Sequence, residues 1–251
     1  MDKRHFITDA VKKVKQQILA FLLRQGIKYS NTNWTKAHIT WLHGLKFDHA
    51  LLKETLDEYI TSLENYVAKL ERLDKRIEEF AQGDKYQEKA AELGCLLGIK
   101  TQAAMTMMSE ISDFSRFRTA SEFASFLGLV PGENSSGEKT QRTSITKSGN
   151  SQCRKTLIEA AAGICRGKVG HKSKELMRRQ ALCNNPIAIS YADRANERLR
   201  SKFYRLNLRN GKPANVAKTA VARELACFIW GIMTDTYNGK VPRNDEYALG
   251  K

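Results

Sequence analysis

The sequence has few cysteines and histidines, and their spacing excludes the common metal and disulfide frameworks. The five cysteines are an odd number, lie far apart along the chain, and include no Cys-x-x-Cys pair. His38, His43 and His49 are separated by five and six residues, whereas ligands on one helical face need separations of three or four. The sequence therefore predicts neither a metal site nor a disulfide.

Long apolar runs are also absent. None approaches the roughly 20 residues that span a bilayer, and the N-terminal stretch MDKRHFITDA has no apolar core of a signal peptide. With 41% hydrophobic and 27% charged residues, the 251-residue composition is that of a folded globular protein. We therefore expect a folded cytoplasmic protein with no membrane partner.

Acidic residues are scarce between residues 139 and 218. That segment contains 19 Lys and Arg against four acidic residues, an excess of 15 that equals the net charge of the whole chain. A long segment of one sign is typical of a surface that binds a polyanion, above all a nucleic acid. A membrane surface fits less well, because the segment is not one amphipathic helix with an aromatic face.

The N-terminal third of the chain is predicted to be helical. An apolar stripe ending at Leu22 predicts a helix that stops at Gly26, and a second short helix is expected between an Asn33 cap and Gly44. From Leu52 to Phe80 apolar residues recur at alternating steps of four and three, which predicts a coiled-coil helix of about 30 residues. This seam fits equally a helical hairpin within one chain and self-association between copies.

After Gly83 a helix is expected over residues 84–96, followed by the turn Leu97-Gly98-Ile99-Lys100 and the helix TQAAMTMMSEI. This order is that of a helix-hairpin-helix, in which turn N–H groups such as that of Gly98 bind a phosphate, although a plain helical hairpin has the same pattern.

Residues 131–150, PGENSSGEKTQRTSITKSGN, carry no helical periodicity and predict a loop with a short β-hairpin over Lys139–Ile145. Helices are expected again over residues 151–166, 173–182, 189–207 and 213–233.

The predicted fold is mainly α: a long coiled-coil helix followed by a compact helical domain with a helix-hairpin-helix-like element and a small β-hairpin. The predicted divisions are a helical linker and coiled-coil region (1–83), a C-terminal domain (84–240) with the serine loop (131–150) and basic helices (151–233), and a tail (241–251).

The loop contains a candidate nucleophile. Ser135 and Ser136 precede Gly137 and lie near several cations, which would stabilise the charge that develops when a hydroxyl attacks a phosphorus. A flexible basic loop that only grips phosphate has the same composition, so both interpretations stay open at this point.

The run ISDFSRFRTASEFASFLGLVPGENSSGEKTQRTSITKSGNSQCRKTLIEAA, residues 111–161, resembles the C-terminal domain of the insertion-sequence transposases of the IS116/IS110/IS902 type, a DEDD transposase family. The pattern consists of Phe117-Arg118, Gly128-Leu129-Val130-Pro131, Ser-Ser-Gly, residues 146–150 (TKSGN) and Arg154. The preceding segment, from LAFLLRQG to the coiled coil, is similar to the linker region of the same family.

The resemblance implies a function in DNA transposition. It implies that Ser136, with Ser135 as its rival, is a nucleophile that forms a phosphoserine link to the cleaved DNA strand. It implies that the residues which neutralise phosphates or shape the turn are Lys139, Arg142, Thr146, Lys147, Gly149, Asn150 and Arg154, with Gly98 in the hairpin. Where this chain has Leu97-Gly98-Ile99-Lys100, family members usually carry Pro-Gly-Ile-Gly.

Family members begin with a ribonuclease-H-like domain whose four acidic residues hold divalent metal. The sequence is expected to begin after that domain, so no cofactor is expected in this chain, and Mg²⁺ only with a separate or missing domain. We expect the isolated chain to be inactive, either as the product of a shortened gene or as a half that acts with a metal-bearing partner. The partners implied are DNA, a structured guide RNA as in some relatives, and further copies of the chain, in a bacterial cytoplasm and near the nucleoid.

Two other function classes remain. A non-catalytic nucleic-acid-binding protein, or an inactive transposase remnant, would use the basic helices without chemistry. A structural interaction protein would use the Leu56–Phe80 seam, with its charge serving solubility alone.

Overall fold

The protein is mainly α-helical, as the sequence predicts. A computed structural model describes residues 2–135 and 142–238. The helices are α1 (Asp2–Arg24), α2 (Lys36–Gly44), α3 (Ala50–Ala81), α4 (Gln87–Gly94), α5 (Thr101–Ile111), α6 (Ala120–Phe126), α7 (Ser151–Ile164), α8 (Lys174–Ala181), α9 (Pro186–Tyr204) and α10 (Ala214–Met233). The chain divides into two compact units, one ending at Arg76 and the other beginning at Ile77 within α3.

The first unit is built on α1, α2 and the first part of α3. The apolar stripe of α1 packs against the seam of α3 and against Leu42 of α2, because helical spacing places these side chains on facing stripes. The buried members of this core are Val11, Val14, Ile18, Phe21, Leu22, Leu42, Leu56, Ile60 and Leu63. The Arg4 guanidinium pairs with the Asp74 carboxylate and joins the other ends of α1 and α3.

The heptad seam has two different halves. Between Leu56 and Leu63 it is buried against α1, so this half forms the helical hairpin within one chain. Farther along, Leu70, Leu73 and Ile77 are only half-buried. Self-association through the seam stays a prediction.

An aromatic cluster surrounds the start of α2. The imidazole of His38 is fully buried between the rings of Tyr29 and Trp41, and its Nδ1 accepts the N–H of Trp34 at 3.1 Å. Thr35, not Asn33 as the sequence suggested, is the N-cap, and its hydroxyl accepts the N–H of His38. Trp34, between the two positions, takes a positive φ, so the cap lies two residues later than predicted.

In the second unit α10 is the central helix. Its buried face runs from Ala217 to Ile232, and it packs against α6, α7 and α9 with α4 at one end. Helices α4 and α5 form the expected helical hairpin, although α4 begins at Gln87 and ends at Gly94, inside the predicted range. After α9 a π-helical turn, Arg205–Arg209, leads to α10, and a 3-10 turn, Thr236–Asn238, follows α10. No helix among the described residues is long and apolar enough to cross a membrane.

The small sheet begins earlier than the predicted hairpin. Strand β1 (Pro131–Glu133) pairs antiparallel with β2 (Arg142–Ile145), with Pro131 opposite Ile145 and a register shift before Glu133 reaches Arg142. The sequence placed the hairpin at Lys139–Ile145, which is correct for β2 only. Strand β1 was not predicted because it is short and begins with a proline, a residue that usually indicates a turn or the end of a strand.

Candidate functional site

The predicted serine loop leaves the helical unit through β1 and returns through β2. Ser135 is the last described residue on the outgoing side and is exposed. Ser136 and Lys139 lie outside the described residues, and Arg142 is described only as backbone of β2. The structure therefore describes the base of the loop, which we define as the contact between residues 126–131 and residues 145–154.

Two glycines allow the backbones of the loop base to touch. Gly128 ends α6 with a φ of +66°, and a Cβ on it would come closer than 3.0 Å to the backbone of Ser148. Gly149 has a φ of +71°, and a Cβ there would overlap the carbonyl oxygen of Phe126. Each glycine thus serves both as a left-handed turn residue and as the point where the opposite backbone approaches.

Backbone hydrogen bonds complete this contact. The N–H of Thr146 donates to the carbonyl of Val130 at 2.9 Å, and the N–H of Lys147 donates to that of Gly128 at 3.2 Å. Lys147 has a φ of +57°, unusual for a residue with a side chain, while its ammonium group is exposed. The strained backbone is held by the loop base, and the charge is presented to solvent.

Arg154 and Asn150, both predicted to contact DNA or shape the turn, are bonded within the protein. Nη1 of Arg154 donates to the carbonyls of Leu127 and Ser148, each at 2.9 Å, so its guanidinium joins the two sides of the loop base. Oδ1 of Asn150 caps α7 by accepting the N–H groups of Gln152 and Cys153. Nδ2 of Asn150 donates to Glu110 at the end of α5. These contacts give both residues a structural role; DNA binding by them stays a prediction.

Ser135, the rival nucleophile, already has a carboxylate acceptor. Its Oγ donates a 2.7 Å hydrogen bond to Oε1 of Glu133. A carboxylate at this distance can orient a serine hydroxyl and accept its proton. Glu133 is visible in the sequence two residues before Ser135, but only the turn after β1 brings the two side chains together.

Arg116 was not predicted and lies beside the loop base. Its guanidinium carbon is 4.7 Å from the ring centroids of both Phe117 and Phe126. In the sequence, Arg116 stands among aromatic residues, which could have drawn attention to it. The ring of Phe126, however, belongs to α6, and only the tertiary structure places it beside Arg116. Asp113 is also near; its pKa is lowered first by hydrogen bonds from Ser115 and least by the charge of Arg116.

Gly98 packs against the backbone of α7. A Cβ on this residue, which has a φ of +79°, would overlap the carbonyl of Ala160. The neighbouring N–H of Leu97 donates to Oδ1 of the buried Asn196 at 2.8 Å. The glycine is thus required for helix packing, and phosphate binding by the turn stays a prediction.

The basic segment divides into internal and exposed cations. Several of its charged groups are bonded within the protein, and Arg200 donates to the carbonyls of Ile164, Lys168 and His171. Seven of the 19 cations are bonded in this way: Arg154, Arg166, Lys172, Arg179, Arg198, Arg200 and Lys202. Eight others have exposed charged groups that bond to no other described residue: Lys147, Lys168, Lys174, Arg178, Arg194, Arg205, Arg209 and Lys212.

The buried acid Glu224 shows why cations are needed inside this unit. Burial by itself raises its pKa, but pairing with Lys202 and Arg198 reverses this and the pKa is lowered. Two of the basic residues therefore neutralise an internal carboxylate. The number of basic residues in the sequence is therefore larger than the number of cations that are available to bind a partner.

In residues 2–135 and 142–238, no three His, Cys, Asp or Glu side chains are grouped so that they could hold a metal ion. The thiol of Cys153, next to the Asn150 cap, is buried, and burial first and the charge of Glu110 second raise its pKa to about 12. This thiol is therefore a packing group and not a nucleophile.

Comparison with known proteins identifies related transposases. Residues 91–177, which include α5, α6, the serine loop and α7, match the model of the Transposase IS116/IS110/IS902 family. A protein of Sinorhizobium fredii named as transposase y4qE is 33% identical over 225 residues, 89% of this chain and 53% of its own length. The transposase for insertion sequence element IS1533 of Leptospira borgpetersenii is 35% identical over 102 residues, 40% of this chain and 30% of its own.

The transposase for insertion sequence element IS1111A of Coxiella burnetii is 28% identical over 119 residues, 45% of this chain and 33% of its own length. The chain thus spans from about a third to about half of the length of these relatives. By the family match, residues 91–177 belong to the IS116/IS110/IS902 family of transposases, and most of the chain is similar to the Sinorhizobium fredii protein.

Proposed function

We propose that the chain acts in transposition of an insertion sequence by holding a DNA strand at the serine loop, where a serine hydroxyl attacks a phosphodiester. The observation that carries this proposal is the loop base. Gly128, Gly149 and Arg154 hold the two ends of the Ser-Ser-Gly loop in a defined position. Such preorganisation is what an attacking group needs, because a misplaced nucleophile loses most of its rate advantage.

The proposed chemistry is a transesterification at phosphorus. The serine hydroxyl loses its proton as its Oγ forms a bond to phosphorus, the bond from phosphorus to the leaving sugar oxygen breaks, and that oxygen takes up a proton, so the step neither gains nor loses protons. Ser136 is the nucleophile implied by the resemblance, and Glu133 would accept the proton if Ser135 attacks instead. The exposed ammonium of Lys147 at the loop base would attract the phosphate.

The test is a covalent protein–DNA adduct. The chain is incubated, with Mg²⁺ and with the separately produced metal-binding domain of a relative, with duplex DNA that contains the sequence flanking its own gene. Adducts are resolved on a denaturing gel, and the modified peptide is identified by mass spectrometry. We expect an adduct at Ser136 that is lost in Ser136→Ala and kept in Ser135→Ala.

The reverse pattern would assign the nucleophile to Ser135. Loss of the adduct in Glu133→Gln would then be expected as well, because the carboxylate could no longer take the proton. No adduct with any variant would contradict the serine mechanism.

The binding-only function is the second candidate, and the eight exposed cations favour it. Such a protein would hold DNA with an affinity that falls steeply with salt and would form no adduct. A structured guide RNA is proposed as a further partner of the same exposed cations. Competition between a labelled DNA duplex and a structured RNA distinguishes the two nucleic acids.

Self-association through α3 is proposed for the half-buried part of the seam, Leu70, Leu73 and Ile77. Sedimentation equilibrium of the whole chain tests it. A dimer that is lost in Leu73→Glu and kept in Glu71→Gln would support it, and a monomer at every concentration would overturn it. Under the proposed function the protein acts in the bacterial cytoplasm, at the nucleoid.

A further inference from the structure

We infer that Arg116 binds a backbone phosphate of the DNA strand held at the serine loop, as a preformed phosphate site beside the loop base. This inference rests on the proposed function, and it names a contact that the family pattern of the sequence did not include. Arg118, not Arg116, belongs to that pattern.

The first argument is preorganisation. The guanidinium of Arg116 lies over two rings, with 4.7 Å to the centroids of both Phe117 and Phe126. Contact with two rings restricts a long side chain before any ligand arrives, so less conformational entropy is lost on binding. A guanidinium carries its N–H groups in one plane, the geometry that suits two oxygens of one phosphate.

The second argument is position. Phe126, which carries the guanidinium, ends α6, and its carbonyl oxygen is the atom against which Gly149 packs. Arg116 therefore lies next to the return side of the serine loop. Under the proposed function, a strand bound along this return side would meet the guanidinium of Arg116.

The third argument is availability. Arg154, the arginine that the family pattern suggests for this region, is engaged through Nη1 with the carbonyls of Leu127 and Ser148. Arg116 is exposed, and its charged group forms no ion pair with any other described residue. Asp113 lies near Arg116, but its Oδ1 accepts the N–H and the hydroxyl of Ser115 at 2.8 and 2.6 Å. These hydrogen bonds first, and the charge of Arg116 last, lower the pKa of Asp113, and the two described side chains form no ion pair with each other.

The test compares variants that each remove one positive charge. Arg116→Ala removes the proposed contact, and Arg24→Ala removes an exposed arginine from the last turn of α1 as the matched control. Arg116→Lys keeps the charge without the planar fork, and Phe126→Leu removes one of the two rings. The probe is a fluorescently labelled DNA duplex, and its dissociation constant is measured by anisotropy over a series of salt concentrations.

We expect Arg116→Ala to weaken binding about tenfold at low salt and to reduce the slope of log K against log salt by about one. Arg24→Ala should change the affinity less than about twofold, while Arg116→Lys and Phe126→Leu should fall between. Equal effects of Arg116→Ala and Arg24→Ala would overturn the inference and leave the proposed function standing. A wild-type chain that does not bind the duplex at low salt would overturn both.

A parallel series with a single-stranded RNA of the same length shows which nucleic acid uses the site. The inference requires the larger loss with the DNA duplex. A loss confined to the RNA would contradict it. Circular dichroism of each variant verifies that the helical fold is retained.

Discussion

The hairpin of α1 and α3 and the loop base are held together by different kinds of contact. In the hairpin, side chains such as Ile18 and Leu56 fill a shared apolar space, and the backbones stay apart. At the loop base, the backbones themselves touch at Gly128 and Gly149. The stability of the hairpin should therefore change gradually with side-chain volume. The loop base has no room for any side chain at the two glycines.

The largest effect is expected from Gly149→Ala. Its Cβ would overlap the carbonyl oxygen of Phe126, and its φ of +71° is unfavourable for alanine, so we expect a loss of about 4 kcal/mol or more in the stability of the loop base. Hydrogen exchange of peptides that cover residues 126–150 measures this. Gly170→Ala is the matched control, because Gly170 has a φ of +75° with open space around it. It should cost only about 1 kcal/mol.

The next effect is expected in the hairpin. Ile18→Ala removes a fully buried side chain and should lower the free energy of unfolding by about 3 kcal/mol, because the cavity collapses only in part. Urea unfolding followed by the fluorescence of Trp34 and Trp41 measures it. Leu51→Ala is the comparison, since the Leu51 side chain is 71% exposed and its loss should change stability by less than about 0.5 kcal/mol. Equal losses in the two variants would contradict the packing described here.

Arg154 and Lys147 distinguish a structural cation from a binding one. Arg154→Ala removes two hydrogen bonds to carbonyls of the loop base and should lower stability by about 2 kcal/mol. Lys147→Ala should leave stability within about 0.5 kcal/mol and weaken DNA binding, since the ammonium group is exposed. Thermal unfolding and DNA anisotropy are measured on both variants. If Arg154→Ala weakens binding without any loss of stability, the role assigned to Arg154 is wrong.

The smallest effect concerns the buried histidine of the first unit. Burial lowers the pKa of His38 below its usual 6.5 in the folded protein. The unfolded chain then binds more protons than the folded chain between the lowered pKa and about 6.5, so stability should fall as the pH drops through this range. His38→Gln should reduce this pH dependence, as measured by urea unfolding at pH values on both sides of 6.5. An unchanged slope in the variant would show that His38 does not contribute.

Several elements could be predicted because their causes are local. Apolar residues at helical spacing indicated α1, α3 and α10, because this periodicity is a local property of the sequence. Strand β1 and the Thr35 cap were missed, since both depend on how the chain turns and not on composition. The segment that carries the candidate nucleophile was found by its Ser-Ser-Gly pattern, while the Glu133 acceptor of Ser135 and the rings beneath Arg116 were not.

By itself the sequence determined the mainly helical fold, the resemblance to a transposase family, and the position of a basic segment that contains serines, since periodicity, motif and composition are all local properties. The tertiary structure decided which cations face solvent and which bond to internal carbonyls, because a guanidinium such as that of Arg200 is assigned by the oxygens that the fold places around it. It also placed Cys95 and Cys183, far apart in the sequence, near enough for one to affect the pKa of the other. Burial first, and the charge of Cys183 next, raise the pKa of Cys95 to about 12. Such contacts depend on the packing of distant segments, which no local pattern encodes.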